Sequence, residues 1–243
     1  MKKFLKHIIF LLIVVALSII INTIYSSFSI TEQKNILPYI PQKNNDSAIE
    51  NMFSKDLNIK ELKLKKYKNE DIIARLEIPN LFNILITQTN NNEYYLTHSI
   101  TKEKDEKGNE YLDYRVTKDS NQINIYGHNS KTYNLPFSKL EKFLEKDFFD
   151  KNKYILLQFE KERRIYEIMS IKEVSKDYSH MKVNVSKEQF KNHIASLISN
   201  SINERKIKYD EESNILVLQT CSYNKEKSYY IIVALEINRE KIK

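Results

Sequence analysis

The sequence predicts a mainly β fold with helices, an α+β protein whose strands close or nearly close into a barrel with the helices packed outside it. Three observations carry this. Seven short runs are rich in β-branched and aromatic residues. Three Ser-led capping boxes interrupt those runs. The 243 residues, 41% of them hydrophobic, are enough to bury one good core. Many strands with few helices favour a sheet closed on itself over stacked helical layers.

The N-terminal stretch "MKKFLKHIIFLLIVVALSIIINTIYSSF" has a basic start and then an apolar run from Ile8 to Ile21, extended by Ile24, Tyr25 and Phe28. Residues 8–28 match the roughly 20 apolar residues that a membrane span requires. A secretory signal peptide and an uncleaved anchor share this pattern, but "INTIYSSFS" offers only a weak small-x-small cleavage site, which favours the anchor. The lysines ahead of the run predict a cytoplasmic N-terminus and an exported remainder. His7 belongs to this flank. Residues 31–45, "TEQKNILPYIPQKNN", carry two prolines, a poor interior for helix or strand, and read as a stalk. The expected organisation is therefore a tip and anchor over 1–30, a stalk over 31–45 and an exported domain over 46–243.

Within that domain, strands are expected at 72–78, 84–87, 122–126, 154–159, 165–171, 214–220 and 229–237. Helices are expected to start at Ser47, Ser138 and Ser186, each followed three residues later by Glu50, Glu141 or Gln189. Leu140, Phe143 and Leu144, and later Phe190, Ile194, Leu197 and Ile198, recur at helical spacing. His193 falls on the last of these helices, where packing is its expected role.

The formal charge is +7, of which Lys2, Lys3 and Lys6 supply three, leaving +4 on the rest. The densest basic run, "KELKLKKYK" at 60–68, reads as a solvated helix face, and nothing resembles a nucleic-acid module. The five histidines and one cysteine show no zinc-type spacing, so no zinc site is expected. A lone thiol in an exported chain has no internal disulfide partner. Cys221 is thus either a small buried hydrophobe or a nucleophile.

"NIYGHNS" at 124–130 contains one of only two glycines in the chain. Gly127 breaks the strand "QINIY" and leaves His128 where the chain exits the sheet, as "NILVLQTC" leaves Thr220 and Cys221 at another strand end. Glycine allows backbone angles closed to other residues. A thiol is only slightly ionised near neutral pH, and an imidazole can accept its proton, which makes Cys and His a working unit when the fold joins them.

These residues carry a resemblance to the sortases, class B. "YGHN" at 126–129 is similar to the family's histidine motif, and "LQTC" at 218–221 resembles its T-L-x-T-C motif, with Val217 at the first position. The segments at 78–100, 108–115 and 140–155 resemble class B segments in the same order, as do helices near 47–66 and 186–200. The resemblance spans about residues 45–237. It implies a closed β-barrel of about eight strands, with an N-terminal helical segment and a helix inserted before the last strands.

It further implies transpeptidation at the surface of Gram-positive cells. Cys221 would cleave an N-P-x-T-N-like signal near the C-terminus of an exported protein through a thioester, and a peptidoglycan amine would resolve it. His128 would serve as general acid and base. Thr220, Leu96 and Met181 would line the substrate groove by the same resemblance. His98 reads as structural, and Asp113 with Arg115 as a structural pair.

One position departs from the pattern. Sortases carry an arginine five residues before a recurring alanine on the last strand; counting back from Ala234 gives Tyr229, and no arginine lies between Cys221 and Arg239. A phenol donates one hydrogen bond and brings no charge. Either Tyr229, with or without help from Lys227, does the arginine's work, or the domain is a slow or inactive sortase that binds at the envelope as a scaffold. A pilin-polymerising sortase or a hydrolysing cysteine protease would differ in the acceptor, and no lid segment of the pilin-polymerase kind precedes the barrel.

Overall fold

The computed structural model describes residues 49–224 and 228–242, together with Ser18. The expected anchor at 8–28, the stalk at 31–45 and Lys227 lie outside the described residues. Among the described residues no helix is long and apolar enough to cross a membrane.

Nine strands form one sheet: β1 (Ile72–Ile78), β2 (Phe82–Thr87), β3 (Tyr111–Leu112), β4 (Gln122–Tyr126), β5 (Tyr154–Phe159), β6 (Glu162–Ser175), β7 (Asn203–Glu204), β8 (Ile215–Cys221) and β9 (Ser228–Lys241). Their order is β5-β1-β2-β3-β4-β8-β9-β6-β7, and β5 also pairs with β6. That extra pairing closes eight strands into a barrel and leaves β7 attached outside the ring on β6. The expected closed barrel with few helices is what forms.

The barrel has two apolar cores, one on each face of its wall. On β8, Leu216 and Leu218 point into the lumen with Ile125, Ile232, Ala234 and Phe137. The alternate residues Ile215 and Val217 point outward, where helix α3 (Lys187–Ile198) lays Phe190, Ile194 and Leu197 on them. A strand covered on both faces has to be apolar at every position, which is why "ILVL" shows no alternation. Burying each of those three α3 side chains is worth about 1.5–3 kcal/mol.

The remaining helices are short. α1 (Ile59–Glu61) continues as a π-helix over Leu62–Lys66, and α2 covers Lys146–Lys151. A 3-10 helix runs over Phe137–Leu144. The continuous helix expected from Ser47 to residue 66 is broken, because residues 54–58 are neither helix nor strand and are tied to the barrel wall. The Ser54 amide and hydroxyl donate to the Glu77 carboxylate, and the Gln158 amide group bonds both the N–H and the carbonyl of Leu57. Asn58 then starts α1, its side chain accepting from the Glu61 amide at 3.0 Å. Ser138 does not cap a helix. Its hydroxyl bonds the Ser130 backbone instead, and Glu141 accepts from Asn129. Ser186 precedes α3 as expected, yet its hydroxyl caps no amide of that helix.

Candidate active site

Two parallel strands, β4 and β8, pair in register from Gln122↔Ile215 to Tyr126↔Gln219. The Gly127 amide extends this ladder by donating to the Gln219 carbonyl at 3.2 Å. Carried two residues past the last pair, the register puts His128 level with Cys221. Two side-chain bonds lock the ends together: Thr220 Oγ1 donates to the Gly127 carbonyl at 2.9 Å, and Asn129 Nδ2 to the Cys221 carbonyl at 2.8 Å.

Gly127 does not serve the purpose that its φ freedom suggests. Its backbone is outside the left-handed region, whereas Gly108 has φ +62°. A Cβ on Gly127 would sit 2.6 Å from Phe137 Cγ and 2.8 Å from Glu110 Cγ, so the glycine is there because the lumen is full.

His128 Nε2 lies 2.8 Å from the Leu96 carbonyl. A carbonyl only accepts, so Nε2 carries the proton in the neutral ring and Nδ1 is left as the basic nitrogen. Leu96 thus meets the site through its backbone. Burial pushes the Cys221 thiol above its ordinary range, and the Lys176 ammonium draws it back down. Buried Glu110, beside Gly127, has its carboxyl pushed up to about 7 by desolvation, against hydrogen bonds from backbone that favour the anion.

Tyr229 is the cross-strand partner of Cys221 on β9. Burial, together with a hydrogen bond to Tyr178, holds its phenol well above the ordinary tyrosine range, so it stays protonated. Thr220 is buried, with its hydroxyl engaged by Gly127 inside the wall. Met181 packs against the Tyr95, Tyr111 and Tyr126 cluster beside the site, and its carbonyl accepts from Arg115, which is itself paired with buried Asp113. Tyr126 OH also donates to Asp113 at 2.7 Å. His98 stacks on Tyr94 with Nδ1 2.8 Å from that residue's carbonyl. His193 Nε2 bonds Gln122 at 2.7 Å, and His180 Nε2 bonds Gln219 at 2.5 Å.

Sequence reasoning did not find Lys176, Tyr178, Gln219 or the Asn129 clamp. Only Asn129 carried a signal, as the residue after His128. Among the described residues, no group of three or more His, Cys, Asp and Glu is placed to hold a metal ion.

The mixed barrel thus carries a histidine and a cysteine at the ends of two paired parallel strands. The family model for the sortase domain matches residues 77–237, and the chain belongs to the sortase family. Sortase B of Listeria monocytogenes is 28% identical over 163 residues, a match that spans 65% of this chain and 65% of that relative's length. Among solved structures, Clostridium perfringens sortase B superimposes with a TM-score of 0.69 at 28% identity, covering 74% of this chain and 99% of that one. The Listeria monocytogenes sortase B structure gives 0.64 at 25% identity, with coverage of 71% and 98%. The class B resemblance read from the motifs therefore holds for sequence and fold together.

Proposed function

We propose that the chain is a cell-surface cysteine transpeptidase of class B type, with Cys221 as nucleophile and His128 as general acid and base. The observation that supports this is the β4–β8 register, which, carried two residues on, brings His128 level with Cys221 at the ends of two paired strands. The Cys221 sulfur attacks the carbonyl after the Thr of an N-P-x-T-N-like signal. His128 takes the thiol proton in that attack and hands it to the leaving amine as the C–N bond breaks, and a thioester remains. A peptidoglycan amine then attacks the thioester, loses a proton to His128 and releases the thiol.

Residues 8–28 anchor the enzyme in the membrane with its N-terminus cytoplasmic, and 46–243 form the extracellular catalytic domain behind a stalk at 31–45. This part of the proposal rests on sequence pattern. The partners are the signal-bearing exported protein, the peptidoglycan amine and the membrane, with no nucleic acid and no cofactor. Leu96, Met181 and Thr220 border the groove, Thr220 through its backbone.

The test is release of the C-terminal remainder from a panel of N-P-x-T-N-like and L-P-x-T-G-like peptides by the full-length chain in detergent. Release is expected with the unaltered chain and lost in Cys221→Ala and His128→Ala. Peptides that bind and stay intact would instead favour a noncatalytic envelope scaffold, the reading that Tyr229 at the arginine position keeps open.

A further inference from the structure

A cluster of side chains around Tyr229 is built where β6 ends. Val174 pairs with Tyr229, and Tyr229 pairs with Cys221, so one row of side chains crosses β6, β9 and β8 on a single face. Beyond that row three alternate residues, Lys176, Tyr178 and His180, all turn onto the Tyr229 ring. Lys176 Nζ is 5.0 Å from the ring centroid. The Tyr178 ring lies at 6.2 Å and the His180 ring at 6.3 Å. Tyr178 holds φ at 59°, a left-handed conformation that side chains adopt only at a cost, and the residue is 52% exposed. Lys176 follows Val174 by two residues, which carries its ammonium to the face that bears the thiol, and the left-handed turn comes after it at Tyr178.

We propose that Lys176 supplies the positive charge that β9 lacks: an ammonium carried in from the end of β6 and seated on Tyr229 stands in for a guanidinium carried on β9. This rests on the reading of Cys221 as a nucleophile, whose thiolate and tetrahedral intermediate are the anions that the charge would favour. Among the described residues, Tyr111 from β3 and Tyr229 from β9 also interact with the Cys221 thiol, and His128 beyond the end of β4 stands level with it. Tyr178 and His180 lie behind Tyr229. Asp177 has its carboxylate turned to the Ser179 amide and hydroxyl, at 3.1 and 3.0 Å. Among the described residues, Lys176 is the cation whose field reaches the thiol.

Because the chain has one cysteine, alkylation by iodoacetamide, followed by intact mass across pH, reports on Cys221 alone. The end of β6 lies two strands from Cys221, and a charge roughly 10 Å away in a water-exposed setting shifts a titration by about 0.3 of a unit. The full-length Lys176→Met chain is therefore expected to alkylate about twofold more slowly near pH 7, with a higher midpoint and unchanged Tm. Lys176→Arg should restore the unaltered profile, and Lys227→Met should leave it in place. With a cleavable peptide, Lys176→Met should lower kcat on the order of tenfold and move KM less than twofold.

The proposal is overturned if Lys176→Met titrates as the unaltered chain does, if Lys176→Arg is as impaired as Lys176→Met, or if Lys227→Met produces the shift instead. Alkylation needs no peptide, so the two readings fail separately. A shifted thiol in a chain that cleaves nothing would sink the transpeptidase and leave Lys176 standing.

Discussion

Gly127→Ala tests how tightly the lumen holds the strand that presents His128. The new methyl carbon would lie 2.6 and 2.7 Å from two Phe137 ring atoms and 2.8 Å from Glu110 Cγ. Phe137 is fully buried in the lumen core, so its ring has no space to retreat into, and β4 must shift instead. Overpacking of this kind costs about 1–3 kcal/mol. At about 2–4 °C per kcal/mol for a chain of this size, a mid-range cost of about 2 kcal/mol lowers Tm by roughly 4–8 °C. Scanning calorimetry of Gly127→Ala, Phe137→Leu and the double variant gives the coupling directly. A smaller side chain at 137 makes room for the methyl, so the double variant should be more stable than the sum of the singles predicts. A Tm within 1 °C of the unaltered chain, or strictly additive effects, would show that the glycine is not there for space.

Two further outcomes follow from buried charges. Fully buried Arg75 pairs with Glu77 and donates to Asn83, Gln158 and the Lys55 carbonyl. Arg75→Met strands the Glu77 carboxylate and is expected to cost about 3–5 kcal/mol in urea unfolding; a loss under about 1 kcal/mol would remove the pair from the account. Glu110 is raised from 4.5 to about 7, so its neutral form is the one that burial favours. Its contribution is complete below its unfolded value and is lost as pH rises through about 7. Glu110→Gln should therefore gain on the unaltered chain between pH 5 and pH 8, by up to about 3 kcal/mol. His193, pushed down to about 4 by burial, works in the opposite direction: it costs stability as pH falls below about 6.5. The difference between the two chains removes that background, and a flat difference would contradict the burial of Glu110.

Much of the barrel was legible because its strands are apolar on one or both faces. β1, β4 and β5 fall where the residues predict, while β6 and β9 run on to 14 residues each. Their extra length is polar and is held by cross-strand pairs such as Arg163 with Glu240 at 2.8 Å, which hydrophobic pattern does not register. β3 and β7 are two residues long and carry too little pattern to find. Ser138 misled because a capping box is a local signal, and the long-range bond to Ser130 won. At the site, His128 and Cys221 were visible as reactive residues at strand ends, but the parallel register that joins them is a property of the closed sheet. Lys176 and Tyr178 were invisible for a related reason: their meeting with Tyr229 depends on how the end of β6 folds back over β9.

The most direct measurement is the intact mass of the full-length chain quenched during incubation with an N-P-x-T-N-like peptide. The account predicts a species heavier by the acyl fragment up to the signal's Thr. That species should be absent in Cys221→Ala and discharged by an added amine such as a short peptidoglycan cross-bridge peptide. An unmodified mass in the presence of cleaved peptide, or an adduct that survives in Cys221→Ala, would contradict a thioester on Cys221.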